Sequence, residues 1–508
     1  MRVIRTIRIF FALAVLLGSC FVFAENDEDE VEVPDDTCVV LYVDPTATEK
    51  VPVNHSVVLY YRSSRRNLCG QPKIVESRTG RIINAHVFKS SFFSNHQSMF
   101  LNSYKLLVDE DYFQPNEKYK IVLGDSVVTE FKTAQKNSFQ GNYLGQEVVA
   151  SIFSPWKISS KDKVILAKNI NDPLGVLTKV LVKSKTPEVL ATINKIMKKD
   201  LPVLGSLKGK YDVALAKMNY ASADAFGREK TLSAFIAYPV AHGVEYSTLP
   251  AIIYLHGWNQ AKHSPSDGQT ADSWLATLAA SQGFVFIAPD MLGYGSTTGT
   301  EPSYFMLDSN GEQVRDAWIA ARSYFVDQLA SGITNDIILI GGRRGAYNAA
   351  ATWINFAKHG EKISDIILYS GIYDVPYLIS QESSELPYEK QLARSIMKSY
   401  SYYMGTTHSL KGASREDLSY IYSLAELNSV SSQANALDSQ SSRILIYDRS
   451  PANNDFSVLL RSLLKNDSSF SIKKVPCYAP GLEKLVKLSV LNISTVCSYR
   501  AWDSLLKR

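Results

Sequence analysis

Histidine is scarce in this 508-residue chain, which contains eight histidines and none after His408. The eight are dispersed, and none shows the H-E-x-x-H spacing of a zinc-dependent hydrolase. The sequence also lacks a G-x-G-x-x-G turn after a strand and a P-loop that ends in Lys-Ser/Thr. It therefore predicts no metal site and no cofactor.

Neither sign of charge is in large excess. The chain has 54 Lys and Arg against 50 Asp and Glu, a net charge of +4. Loss of a leader that carries Arg2, Arg5 and Arg8 and no acid would leave +1. A nearly neutral protein lacks the basic surface that nucleic acids require, so no nucleic-acid partner is expected.

Long apolar runs are missing after the N-terminus, so the sequence predicts no membrane-spanning helix. Residues 1–24 have a basic start, an apolar run from Ile9 to Leu17 and the small-residue pattern Val22-Phe23-Ala24, which is typical of a secretory signal peptide. The alternative is lipidation of Cys20, because 17–20 resemble a bacterial lipobox. We expect an exported bacterial protein, in the periplasm or cell envelope or on the outer surface, with membrane contact only through such an anchor.

Cysteine is also rare, with five in the chain. Apart from Cys20, the four form two well-separated pairs, Cys38 with Cys69 and Cys477 with Cys497. An even number in an exported chain predicts two disulfides. The alternative is four buried free thiols.

The N-terminal part of the chain is expected to form a β-sandwich. After an acidic linker over 25–36, short β-rich runs separated by turns fill 37–135. Asp44–Asn54, Phe113–Tyr119 and Glu130–Thr133 resemble segments of bacterial Ig-like domains. The resemblance implies a spacer, which is the favoured interpretation, or an adhesion unit through which a protein partner binds.

The rest of the chain is predicted to be an α/β domain. A connector over 136–206 includes an amphipathic helix at 187–199. Strands and helices then alternate over 207–508, which favours a mostly parallel sheet with helices on both faces. The strands are expected at 211–218, 232–237, 251–255, 284–288, 337–340, 366–369, 444–447 and 470–475, and a helical cap at about 377–430.

Four blocks of 207–508 resemble the α/β-hydrolase superfamily, in particular exported bacterial lipases and esterases. One block is a strand followed by His256-Gly257, and another is the Pro-Asp-x-x-Gly-x-Gly segment 289–295. The flanks 301–304 and 369–374 resemble the lipase-like branch. The resemblance implies an α/β-hydrolase fold, with an oxyanion hole formed near His256, Gly257 and Trp258.

The nucleophile elbow of this fold lacks its nucleophile. The motif is G-x-S-x-G, at a tight turn from a strand into a helix. Here an apolar strand leads into Gly341-Gly342-Arg343-Arg344-Gly345, so Gly341 and Gly345 hold the glycine positions and Arg343 replaces serine. A guanidinium is always protonated and cannot attack a carbonyl.

The other members of the triad are also in question. The acid should follow the strand at 444–447, where Asp448 and Asp455 are available and Asp455 fits the loop length better. The base should lie near 479–483, yet no histidine follows His408, which falls in the cap. Loss of the serine or the histidine alone costs about a millionfold in rate. The sequence therefore predicts a catalytically inactive protein that binds a ligand or partner, the alternative being an active esterase or lipase with an unconventional site.

The basic residues at the elbow suggest a different use of the pocket. Arg343 and Arg344 lie at the start of a predicted helix, where the helix dipole favours anions. A planar guanidinium binds carboxylate or phosphate well. We expect an anionic small molecule or lipid to bind there. The alternative is that Arg343 pairs with Asp290 or Asp455 and acts structurally.

Overall fold

The computed structural model describes most of the chain. The described residues are 37–46, 50–95, 97–108, 113–135, 139–147, 149, 164–174, 187–257, 263–268, 271–383, 387–404, 415–437, 442–448, 471–477 and 493–507. The predicted signal peptide, Cys20 and the acidic linker lie outside them.

The N-terminal part folds into two antiparallel sheets. One has the order β1-β2-β6-β5 and the other the order β4-β3-β7-β8. A shared core of buried side chains from both sheets includes Leu59, Tyr61, Ile74 and Tyr119. The strands are β1 (Cys38–Asp44), β2 (Val57–Ser63), β3 (Lys73–Glu76), β4 (Ile82–Ile83), β5 (Ala85–Ser94), β6 (Met99–Val108), β7 (Lys118–Leu123) and β8 (Ser126–Lys132).

The second part is built on a large mixed sheet. Its order is β10-β11-β12-β14-β13-β15-β16-β17-β18, with β9 paired to β11. From β14 to β18 neighbouring strands are parallel, whereas β12 is antiparallel to both of its neighbours. The strands are β9 (Tyr143–Glu147), β10 (Val164–Ile165), β11 (Asp212–Ala223), β12 (Glu229–Val240), β13 (Ala251–Leu255), β14 (Val285–Pro289), β15 (Ile337–Gly342), β16 (Asp365–Tyr369), β17 (Arg443–Asp448) and β18 (Ser471–Pro476).

Helices cover both faces of this sheet. Alternate strand residues contact opposite layers, because successive side chains of a strand point to opposite faces. Ile253 packs with α4 and α5, while Ile252 packs with α3 and α9. The helices are α1 (Pro187–Asp200), α2 (Pro202–Ser206), α3 (Ala271–Ser281), α4 (Leu307–Leu329), α5 (Arg344–Lys358), α6 (Val375–Ser380), α7 (Pro387–Tyr403), α8 (Arg415–Leu427) and α9 (Ile493–Leu505). Short 3₁₀ helices lie at Ala167–Asn169, Tyr246–Thr248, Pro265–Asp267, Gly295–Thr297, Gln381–Ser383 and Val430–Leu437.

The structure confirms the main expectations for this part of the chain. Each of the eight predicted strands overlaps an observed one, and the predicted helix at 187–199 is α1. The insertion between β16 and β17 is helical, as expected for 377–430, although 384–386 and 405–414 lie outside the described residues. Disulfides join Cys38 to Cys69 and Cys477 to Cys497, as predicted. Within the described ranges, none of the helices has the length and apolar character needed to cross a bilayer.

The first sheet of the sandwich packs directly on the second domain. Tyr42 Oη donates to the carbonyl oxygen of Ala225 at 2.6 Å, and Tyr60 Oη donates to Asp308 at 2.8 Å. Tyr42 and Tyr60 belong to the same buried cluster as residues of α4 and α5. The sandwich and the second domain therefore share a buried interface.

Candidate functional site

The elbow has the backbone of a strained strand-to-helix turn. β15 ends at Gly342 and α5 begins at Arg344, so Arg343 alone makes the turn. Arg343 has φ 54° and ψ −119°, a backbone conformation that residues other than glycine rarely adopt. Its N–H donates to the carbonyl oxygen of Tyr369 at 3.0 Å, which fixes the turn against the neighbouring strand.

The two outer glycines are required by close packing of backbone. A Cβ at Gly341 would overlap the carbonyl group of Gly345, and a Cβ at Gly345 would overlap the carbonyl group of Leu255 at the end of β13. Gly341 also lies opposite Leu255 in the parallel pair of β13 and β15. The elbow and the His256-Gly257 turn are therefore adjacent.

Arg343 lies at the turn itself, between the end of β15 and the start of α5. It is half-buried and serves as the N-cap residue of α5, without a side-chain capping bond. The first N–H groups of a helix have no partner within the helix and carry the positive end of its dipole. A permanently charged guanidinium beside them makes this turn suited to an anion and unsuited to nucleophilic attack.

Arg344 lies next to it, buried between two aromatic rings. Its side chain is 1% exposed, and its Cζ lies 4.7 Å from the ring centroid of Tyr304 and 5.1 Å from that of Tyr294. Within the described ranges, its Nε and Nη1 have no hydrogen-bond partner. A buried donor without a partner is costly, and for a charged group the cost is larger. The geometry therefore leaves a buried cation without a hydrogen-bonded counter-charge at these two nitrogens.

The imidazole of His256 is buried beside Arg344. Its Nε2 lies 2.8 Å from the carbonyl oxygen of Asp290, and its Nδ1 lies 2.9 Å from that of Gly257. Burial lowers the pKa of His256, and the charge of Arg344 lowers it further. Both nitrogens face carbonyl oxygens, so this ring is held in place within the turn.

Asp290 is a fully buried carboxyl whose backbone carbonyl oxygen meets the His256 ring. It accepts hydrogen bonds from Ser233 Oγ at 2.5 Å and from the N–H of Ser266 at 3.0 Å. Burial raises the pKa of Asp290 to about 6, although the hydrogen bonds from Ser233 and Ser266 act in the opposite direction. In these contacts Asp290 anchors the Ser266 loop and β12. The pairing with Arg343 that we considered as an alternative is not among them.

The structure places only some of the residues predicted for the site. Asp448 is the last residue of β17. In the sheet, β16 lies between β17 and the elbow strand β15. Trp258, Asp455, His408 and the segment 479–483 lie outside the described residues. In the described part of the chain, no group of three or more His, Cys, Asp or Glu side chains is arranged to hold a metal ion.

Sequence reasoning missed the side chains around the two arginines and at the domain interface. Tyr294 lies in the Pro-Asp-x-x-Gly-x-Gly block, and Tyr304 in the lipase-like segment 301–304, but nothing marked them as ring partners of Arg344. Asp308, Glu312 and Asp316 are spaced by four residues in α4. That spacing was visible in the sequence and could have predicted one acidic helix face.

Comparison with known proteins found matches only among solved structures. No protein-family model matches the chain, and no curated protein matches it. The rice cell wall degrading esterase LipA from Xanthomonas oryzae is 14% identical, with 72% of this chain and 99% of LipA covered and a TM-score of 0.45. A protein described as a hydrolase from Legionella pneumophila is 17% identical, with 62% and 93% covered and a TM-score of 0.46.

A more distant match is Candida antarctica lipase A, with 12% identity, 52% of this chain and 72% of the lipase covered, and a TM-score of 0.38. These neighbours are α/β-hydrolase proteins. Fold similarity to these proteins does not establish the chemistry of this chain, which depends on the residues at its own elbow.

Proposed function

We propose that this chain is an exported protein of α/β-hydrolase fold that has lost serine-hydrolase activity and binds an anionic ligand at its elbow. The ligand class is a carboxylate, a phosphate or a lipid headgroup. Arg343 replaces the nucleophile at the turn, and the sequence contains no histidine downstream of the candidate acids Asp448 and Asp455. Both losses oppose the alternative of an active esterase or lipase.

The single observation that carries the ligand proposal is the state of Arg344. A guanidinium that is 1% exposed has two nitrogens without a hydrogen-bond partner among the described residues, at the start of a 15-residue helix. An oxyanion at this place would pair with the guanidinium and with the free N–H groups of the first helical turn. The guanidinium is planar by its own delocalisation, and contact with the rings of Tyr294 and Tyr304 orients it.

For the N-terminal domain we propose the Ig-like fold. With strands lettered A to G along the chain and β4 as C′, the two sheets have the orders A-B-E-D and C′-C-F-G. These are the sheets of the immunoglobulin arrangement. The buried contact with α4 supports a role as an integral part of the protein, and the outer sheet remains the surface on which a protein partner would bind.

Thermal shift with an anion panel tests the ligand proposal. The purified full chain is titrated with decanoate, inorganic phosphate and lysophosphatidate. Binding at 100 times Kd stabilises a protein by about 2.7 kcal/mol, which for a protein of this size corresponds to a rise in Tm of about 3 °C. We expect at least one of the three to produce such a rise.

The control separates the elbow from general surface charge. Arg344→Met should abolish the response, while Arg322→Met, which removes an exposed arginine of α4, should leave it unchanged. If none of the three anions shifts the Tm, or if Arg344→Met responds like the natural protein, the anion site does not exist. In that case an acid of the chain, with Asp455 as the first candidate, neutralises the arginines.

A further inference from the structure

A large cleft separates the edge of the sandwich from α4 and the end of α5. Its volume is about 1200 Å³, above the range of pockets that hold small molecules. A smaller cavity of about 180 Å³ continues it along β5, and Phe88 and Lys358 line both. This space is remote from the elbow, since none of its lining residues belongs to that site.

The charged side chains that line both cavities are basic. None of the described residues lining them is acidic, whereas six carry or can take a positive charge: Arg81, His86, Lys89, Arg315, Lys358 and His359. Acidic partners lie behind them. Glu361 pairs with Arg315 at 2.8 Å and Asp308 pairs with Lys358 at 2.9 Å, yet neither acid lines the cavities. The cations that a ligand meets are therefore the exposed Arg81 and Lys89 and the half-buried Arg315. Lys358 lies deeper, where its ammonium group donates to Asp308 and Gln433.

The other lining groups suit a peptide. The exposed amide side chain of Asn84 can bond to a peptide backbone, and Ile82, Phe88 and Phe139 offer apolar contact. The amides of Asn54 and Gln140 line the same cleft but bond within the protein, to each other's segment and to His55. Ile82 is 56% exposed at the edge strand β4. The cleft thus combines donors for carboxylates, partners for a peptide backbone and apolar surface for aliphatic side chains.

The chain itself contains a segment of matching composition. Residues 25–36 hold eight acids, no basic residue and the aliphatic Val31 and Val33. Three of the 54 basic residues lie in 1–24, and eight of the 50 acidic ones lie in 25–36, so 37–508 hold 51 basic and 42 acidic residues, a net charge of +9. Twelve residues therefore carry −8, which nearly balances the rest of the protein.

The segment is long enough to reach the cleft. Cys38 is level with Phe93 of β5, through the pairs Cys38–Ser63, Ser63–Phe100 and Phe100–Phe93. Three strand spacings across the sheet and five residues along β5 to Phe88 give a straight distance of about 22 Å. Twelve extended residues span up to about 40 Å. We propose that the acidic segment 25–36 binds in this interdomain cleft of its own chain.

Site-specific photo-crosslinking in the full chain tests this proposal. Benzoylphenylalanine replaces Asp29, and peptides crosslinked to it are identified by mass spectrometry. We expect intramolecular crosslinks to β4, β5 or the part of α4 around Arg315. The yield should fall several-fold in 0.5 M NaCl, because salt screens exposed charges beyond a few ångströms. The same probe at exposed Glu245 should give no crosslink to the cleft.

Charge variants keep the test specific. The double variant Arg81→Ala and Arg315→Ala should lower the yield at least as much as salt does, while Arg322→Ala on the same helix should not change it. A second variant, Arg81→Ala alone, changes only a side chain that is 61% exposed and should fold normally. A lower crosslink yield in this variant therefore cannot be attributed to unfolding. Crosslinks that map elsewhere, that persist in the double variant, or that join two copies of the chain would overturn the proposal.

Discussion

Asp308 and Asp316 lie two turns apart on one face of α4, yet their pKa values are displaced in opposite directions. The charges of Lys358 and Lys105 outweigh burial and lower the pKa of Asp308 to about 2. Burial, helped by the nearby charge of Glu312, raises the pKa of Asp316 to about 8. The difference arises because Lys358 of α5 and Lys105 of the sandwich lie 2.9 and 3.6 Å from Asp308. Asp316 instead accepts its hydrogen bond from the neutral Ser222 at 2.7 Å.

The first prediction concerns Asp316→Asn and pH. A carboxyl whose folded pKa is raised stabilises the protein fully only below its usual pKa of 3.8, and this contribution is lost as pH rises through 8. Glu312, Arg315 and His55 face the same group and set the size of the effect. Asparagine cannot ionise and can still accept from Ser222. The free energy of unfolding of the variant, relative to that of the natural protein, should therefore increase as pH rises from 5 to 9.

Urea unfolding at pH 5, 7 and 9 measures this gain. Asp336→Asn, which changes an exposed acid, serves as the control and should show no pH-dependent difference. A gap between Asp316→Asn and the natural protein that stays constant from pH 5 to pH 9 would show that Asp316 is ionised in the folded state at neutral pH.

The second prediction concerns Asp308→Asn. This change leaves Lys105 and Lys358 buried without the carboxylate that lies 3.6 and 2.9 Å from them. Removal of one partner of a buried ion pair costs about 3–5 kcal/mol. The cost should shrink as pH falls from 4 towards 2, because the natural carboxyl then takes up a proton. Unfolding followed at pH 7 and pH 2.5 checks both statements, and equal costs at the two pH values would contradict them.

The fold could be predicted from the sequence because its signals are local and periodic. The apolar runs at Ala251–Leu255 and Ile337–Gly342 lie next to glycine turns, and they are strands in the structure. The domain interface could not be predicted in the same way. Lys105 lies in a β-rich run like any exposed strand lysine, and only the packing of the sandwich on α4 makes it 1% exposed.

At the elbow, too, the local turn could be predicted from the sequence, whereas the tertiary contacts could not. The glycine pattern of the elbow predicted the turn, since Gly341 and Gly345 leave no room for a Cβ. The sequence also indicated a cation at the turn. It could not indicate that Arg344 lies between Tyr294 and Tyr304, because residues 294, 304 and 344 come together only through the crossing of three segments.

The third prediction concerns the strain at Arg343. A residue other than glycine at φ 54°, ψ −119° costs about 1–3 kcal/mol. Arg343→Gly should therefore raise the free energy of unfolding in the absence of ligand, by about 1 kcal/mol after allowance for the freedom of glycine in the unfolded chain. Arg322→Gly, within the exposed part of α4, should lower it by about 1 kcal/mol. A loss of stability in Arg343→Gly would mean that the arginine side chain stabilises the fold.

The fourth prediction concerns Arg344→Met without ligand. Replacement of a buried charge by an apolar side chain of similar volume is often neutral or stabilising, and the lost ring contacts offset about 2 kcal/mol of that gain. The Tm of the variant should therefore lie within a few degrees of the natural value. A loss of about 3–5 kcal/mol, measured by chemical unfolding, would reveal an acid paired with Arg344 and would remove the basis for a bound anion.

The most direct measurement is labelling by a fluorophosphonate probe together with turnover of p-nitrophenyl acetate, on the natural protein and on Arg343→Ser, beside an active serine esterase. The natural protein has no serine at the turn, and the variant has a serine but no downstream imidazole to activate it. Both proteins should therefore remain unlabelled, with turnover at background and about a millionfold below the active enzyme. Stoichiometric labelling of the natural protein, or turnover that a single serine at 343 restores, would contradict the proposed loss of catalysis.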